Sequence, residues 1–232
     1  MNLSTNLLQK PFRLIVASLL LFSVITTPVQ ASEPEPLTLI KSIVDNILTS
    51  LKNERDAVVG DPQLLYTITN THLVPHVDIE TMSRLVLAQQ WRKATEAQRE
   101  EFSRQFITLL QRFYVNALME DPSNIDGILK IADKLMRYQP LNLNDDERKT
   151  TVRAEVTLPS GMVVPVGFSL LRNKEGVWKI YDVIVEGGSL IVNYRASFAS
   201  EIKRDGLDAV LKRLEDKNNE LLKQGTTATP LR

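Results

Sequence analysis

His72 and His76 are the only two histidines in the chain, and their i, i+4 spacing would set both rings on one face of an unbroken helix. Two histidines so placed can share a zinc ion, with Asp78 or Glu80 completing the ligand set. Pro75 lies between them, however, and no glutamate directly follows His72 to act as the base of a zinc hydrolase. The simpler reading is a pair of histidines at a helix end. Ser189 follows two glycines, but Gly187-Gly188-Ser189-Leu190-Ile191 lacks the second glycine of a nucleophile elbow, so the hydroxyl is expected to cap the next helix. No lysine follows Gly187 and Gly188 at the spacing of a phosphate-cradling loop. Asp182, among apolar strand residues, reads as a buried carboxylate held by backbone amides; the alternative is the buried acid of a small enzyme. With 0 cysteines, disulfides, thiolate metal sites and thiol catalysis are excluded. The residue types point away from an enzyme, and no catalytic or metal-ligating set is assigned.

The 232 residues permit one large domain or two small ones, and a formal net charge of +0 gives no basic stripe for nucleic acid. Charge and hydropathy are unevenly spread at the start. Lys10 and Arg13 precede the apolar run from Leu14 to Ile25, and Val29-Gln30-Ala31 ends it with small residues, the order of a secretory signal peptide cleaved after Ala31. The run falls short of the ~20 residues a membrane-crossing helix needs. Loss of Lys10 and Arg13 with the leader would leave a net charge of −2. A cysteine-free exported chain fits the bacterial periplasm better than the disulfide-forming eukaryotic route.

Residues 32–36, Ser-Glu-Pro-Glu-Pro, read as a disordered lead-in to a single domain over 37–222. Leu37, Ile40, Val44, Ile47, Leu48 and Leu51 step by three and four, predicting a helix that stops before Gly60-Asp61-Pro62. A second helix follows Pro62 and ends near Pro75, and Asp78 caps a third. Thr95-Glu96-Ala97-Gln98 is a capping box opening a long helix with Phe102, Phe106, Leu110, Phe113 and Tyr114 on one broad face. After Lys134 the period shortens toward two. Strands are predicted over 135–143, 152–158, 162–171 and 177–185, joined by short turns into an antiparallel meander, with Pro165 suggesting an edge or a bulge. Helices over 190–204 and 206–222 close the domain, and 223–232 reads as a flexible tail. Helices, then strands, then helices is an α+β order: a helical layer on a curved antiparallel sheet of about four strands.

Two stretches carry a family resemblance. Between Asp78 and Leu118 runs VLAQQWRKATEAQREEFSRQFITLLQRFYVNAL, with its Val-Leu pair, Trp-Arg, Ala-Thr, Gln-Arg, spaced Phe residues and Tyr before Ala-Leu. From Trp178 to Asn218 runs WKIYDVIVEGGSLIVNYRASFASEIKRDGLDAVLKRLEDKN, with Tyr-Asp-Val, Glu-Gly-x-Ser-Leu, Asn-Tyr-Arg and Gly-Leu-Asp in order. With Val163-Val164-Pro165-Val166, the chain resembles the MlaC, or toluene-tolerance, family of periplasmic phospholipid-binding proteins over most of 37–218. It departs from the family pattern at Ala88, where glycine is usual, at Gly167-Phe168, where an acidic-aromatic pair is usual, and at Gly188, where an apolar residue is usual.

The resemblance implies a helical layer and a curved sheet enclosing an apolar cavity for phospholipid acyl chains, with no cofactor. It implies a carrier between an outer-membrane lipoprotein–porin complex and an inner-membrane ABC transporter with a membrane-anchored ring, a system that maintains outer-membrane lipid asymmetry. The carrier itself is expected to be a monomer. Laid on the predicted faces, the cavity wall falls to Phe106, Leu110, Tyr114, Val156, Val164, Val166, Phe168, Tyr181, Val183, Leu190 and Tyr194. Tyr114 is the leading candidate, because a phenol suits a polar mouth. Arg195, Lys203, Arg204, Lys212, Arg213 and Lys217 give the closing helices positive charge, but interleaved acids make a solvated face the simpler reading.

Overall fold

The computed structural model describes residues 33–121, 123–144 and 147–227; the leader over 1–31 and the last residues of the chain lie outside the described residues. Helix α1 spans Glu35–Asn53 and opens with Pro36 in its first turn, where a missing N–H costs nothing. Pro36 is itself buried, so the lead-in read over 32–36 is shorter than its composition suggests. A break at Glu54 separates α1 from α2 (Arg55–Gly60). Helix α3 (Gln63–His72) runs into a 3-10 turn, Val74–His76. Asp78 then caps α4 (Ile79–Leu87), accepting the Thr81 amide at 2.8 Å.

Helix α5 (Gln89–Lys93) was not foreseen as separate; the chain kinks into it at Ala88, whose φ of 50° and ψ of −114° place it outside the regions alanine prefers. Thr95 and Gln98 form the expected capping box at the start of α6 (Glu96–Met119), each side chain meeting the other's backbone N–H. A further helix, α7 (Ser123–Lys130), occupies a stretch in which no element was predicted.

The sheet is an antiparallel meander in the order β1 (Met136–Tyr138), β2 (Lys149–Thr157), β3 (Val163–Arg172), β4 (Trp178–Val185) and β5 (Gly188–Ser189). The first strand is shorter than the 135–143 expected, and β5 is an addition. Glu186 and Gly187, with φ of 50° and 81°, form the tight turn that returns β4 into β5. Pro165 sits neither on an edge strand nor in a bulge. It lies in central β3 opposite Glu155, where β4 has already turned away; the Pro165 carbonyl accepts the Glu186 amide at 3.0 Å. The bulge is in β4, where Leu170 faces Ile180 but Ser169 faces Asp182, leaving Tyr181 as the extra residue. Helices α8 (Leu190–Asp205) and α9 (Leu207–Thr227) complete the chain, with α9 running into the segment read as a flexible tail.

Three separate apolar clusters hold these elements. Helices α4, α6, α8 and α9 enclose Phe102, Phe106 and Phe198, with ring centroids 5.2 to 6.1 Å apart. Helix α1 lies on the sheet through Leu37, Ile40 and Ile43 against Val152, Leu170 and Trp178. The ends of α1 and α6 join α2, α3 and α7 through Leu51, Val58, Leu65, Val115 and Ile125. Among the described residues, no helix is long and apolar enough to cross a membrane.

Candidate functional site

Where the three clusters meet they leave a cavity of about 380 Å³, within the range of small-molecule sites. Helix α1 supplies Ile47 and Leu51, α3 supplies Leu65, Ile68 and Thr69, and α6 supplies Ile107, Leu110, Gln111, Tyr114, Val115 and Leu118. The sheet contributes Phe168, Ile180, Val183 and Val185; Leu73, Val74, Val77, Met82 and Leu190 complete the wall. None of these side chains carries a charge at neutral pH. The polar ones are Thr69, Gln111 and Tyr114. Gln111 Nε2 donates to Thr69 Oγ1 at 3.1 Å and to Asn70 Oδ1 at 2.9 Å, so its amide hydrogens are already satisfied at the joint of α3 and α6. Tyr114 is 55% exposed, yet the apolar surroundings of its phenol push its pKa upward and keep it neutral. A space so lined takes hydrocarbon and rejects ions, which would lose their hydration with nothing in exchange.

Of the eleven side chains expected at the wall, Leu110, Tyr114, Phe168, Val183 and Leu190 line this cavity. Phe106 does not: it is 1% exposed and locked in the aromatic cluster, where Tyr194 meets it edge-on at 5.1 Å. Val156, Val164 and Val166 occupy the same sheet face as Phe168 but lie beyond the cavity, toward the turn between β2 and β3. Tyr181 is turned away by the bulge, with Lys149 Nζ 5.8 Å from its ring centre. The bulge also explains an omission. It shifts the alternation by one residue, so Ile180, Val183 and Val185 all face inward although simple parity would separate the first from the others. The contributions of α3 were missed because its apolar residues carried no sign of what they face.

The remaining candidates are engaged in holding the fold. His72 Nε2 lies 3.0 Å from Ser50 Oγ, while His76 sits in the 3-10 turn, its pKa pushed down by burial and by nearby Lys179. Among the described residues, no group of three His, Asp or Glu side chains converges as a metal site. Ser189 caps α8 as expected, accepting the Val192 amide at 3.1 Å and donating to Asp182 at 2.6 Å. Asp182 also accepts the Ile191 amide at 3.1 Å. The pair thus clamps the start of α8 to β4, and Leu190 between them is set into the cavity wall.

Cations of the closing helices are largely paired: Arg204 with Asp205, Arg213 with Glu201 and Asp205, Lys212 with Asp216, and Lys217 with Glu220. Arg195 Nε donates to the Leu85 carbonyl at 2.7 Å, anchoring α8 on α4. Gly167, whose added Cβ would meet Thr151 at 3.2 Å, and Gly188 both stand outside the cavity.

Comparison with known proteins agrees with this architecture. The family model of the MlaC protein matches residues 41–216. The chain is 31% identical over 174 residues to toluene tolerance protein Ttg2D of Pseudomonas putida, covering 75% of each chain. It is 21% identical over 212 residues to the intermembrane phospholipid transport system binding protein MlaC of Haemophilus influenzae, covering 90% of this chain and 94% of that one. A solved phospholipid-binding protein from Ralstonia solanacearum, in complex with a phospholipid, superposes with a TM-score of 0.68 at 25% identity, over 80% of this chain and 98% of that one. With its cavity, its meander and the matched span, this chain belongs to the MlaC family.

Proposed function

We propose that this chain is a non-enzymatic phospholipid carrier of the periplasm, exported by a signal peptide over 1–31 and folded as one lipid-binding domain over 37–222. The observation that carries the reading is a 380 Å³ cavity whose wall holds no ionisable group other than the neutral phenol of Tyr114. The phospholipid bound by the Ralstonia solanacearum relative supports it. Burial of hydrocarbon contributes about 0.8 kcal/mol per methylene, so roughly 30 methylenes give an upper bound near ~24 kcal/mol. Escape into water is then too slow for transport, and lipid passes between docked proteins. We assign those partners as an inner-membrane ABC transporter with its membrane-anchored ring and an outer-membrane lipoprotein–porin complex, in a system that maintains outer-membrane lipid asymmetry. The carrier acts as a monomer with phospholipid as its ligand and no cofactor.

Head-group selection is expected to be weak, since a phosphate would need a fixed cationic partner. Arg195, the cation of the matching Asn193-Tyr194-Arg195 motif, is anchored to the Leu85 carbonyl. Competition between phosphatidylethanolamine and phosphatidylglycerol of matched chains tests this. Affinities within about tenfold are predicted; a preference beyond that, about 1.4 kcal/mol, would reveal a head-group site.

A further inference from the structure

The cavity wall changes character at one place. Of its residues only Tyr114 and Val185 are exposed, so the opening lies between α6 and the end of β4. Acyl chains leave the cavity there, and the first polar atoms behind them are the ester oxygens that join chain to glycerol. Those atoms accept hydrogen bonds and donate none. At the lip of an apolar cavity they lose part of their water, a cost unless a protein donor replaces it.

The other polar groups of the wall cannot serve. The Thr69 hydroxyl donates to the Tyr66 carbonyl at 3.1 Å, and Gln111 donates to Thr69 and Asn70. The Tyr114 hydroxyl has no partner among the described residues. Tyr194 stands close by. It follows the wall residue Leu190 by four positions, which sets it on the same side of α8 one turn further on. Its half-buried ring is fixed edge-on to Phe106 at 5.1 Å and stacked on Phe198 at 5.9 Å. Its hydroxyl also has no partner among the described residues. Apolar surroundings push the pKa of both phenols up, and Tyr114 raises that of Tyr194 further, so both keep their protons at neutral pH. A charged phosphate is best served by the water outside, whereas two neutral donors in a partly dry site suit a neutral acceptor. We propose that Tyr114 and Tyr194 hold the glycerol-ester carbonyls of the bound lipid, making the cavity selective for ester-linked over ether-linked phospholipids whatever their head group.

This assignment rests on the carrier reading, and the test separates the two. Diester and diether phosphatidylethanolamines of matched chains, each with one pyrene-labelled chain, are offered in vesicles to the purified protein, and the loaded fraction is measured. A hydrogen bond to a carbonyl contributes roughly fivefold, so two should make the diester load at least about tenfold better. Y114F and Y194F, which keep both rings, should each lower diester loading about fivefold and leave diether loading unchanged. The double variant should take up the two lipids equally. Undiminished diester loading in the variants overturns the assignment. So does an equal loss of both lipids, which would place the phenols on the phosphate or in the packing. Equal loading of both lipids by the unaltered protein also overturns it and leaves the carrier standing. Failure of the unaltered protein to load either lipid overturns both readings.

Discussion

Ala88 is held at φ 50°, ψ −114°, a positive-φ conformation in which glycine is favoured because any Cβ crowds the backbone. Such strain costs on the order of 1–3 kcal/mol, and A88G would relieve it, offset by about 0.4–1 kcal/mol of added freedom in the unfolded chain. The side chain is exposed, so no packing is lost. A gain of about 1 kcal/mol in urea unfolding is predicted; a loss would show that the turn is not strained. Val185 and Val164 allow a sharper test at the same scale. Both lie on the inner face of the sheet, but only Val185 lines the cavity, and it is 42% exposed. V185D can keep its carboxylate hydrated until an acyl chain covers it, so the variant should fold and retain less than a tenth of the phospholipid. V164D should retain its lipid. Equal loss in both would extend the binding surface toward the β2–β3 turn.

Two elements depend on small polar groups. The Asp182 carboxylate holds the Ser189 hydroxyl and the Ile191 amide, fastening α8 to β4 beside Leu190. D182A should cost about 1–3 kcal/mol by orphaning these donors, and D182N should recover part of it; an unchanged midpoint for D182A would mean the clamp is idle. At the 3-10 turn, burial and Lys179 lower the pKa of His76, so the unfolded chain takes up its proton first. Stability from this group is present above the unfolded value of about 6.5 and falls away as pH drops toward the folded value. H76Q should flatten that acid-side decline in unfolding measured between pH 5 and 8; an identical decline would assign it elsewhere.

Caps and the meander were legible in the chain because Asp78, the Thr95–Gln98 box and the short turns act within a few residues. The bulge was not, since nothing in Ile180-Tyr181-Asp182-Val183 marks where alternation slips, so Tyr181 was expected in the wall and Ile180 was not, the reverse of where the strand sets them.

At the scale of the molecule, the apolar side chains of the described residues divide among three clusters rather than one, and the cavity is what their junction leaves open. That hollow was invisible in the sequence: Leu65, Val115 and Val183 have the same period and composition whether the space between them is filled or empty. A filled interior would make the chain an ordinary packed domain, whereas a hollow one with uncharged walls must either close up or hold hydrocarbon. Native mass spectrometry of the full chain, purified from an exporting bacterium without detergent, decides between these most directly. A co-purifying mass equal to one phospholipid, released on activation in the gas phase, is the predicted result. A bare chain after equally mild handling, with no lipid taken up from vesicles, would contradict the carrier.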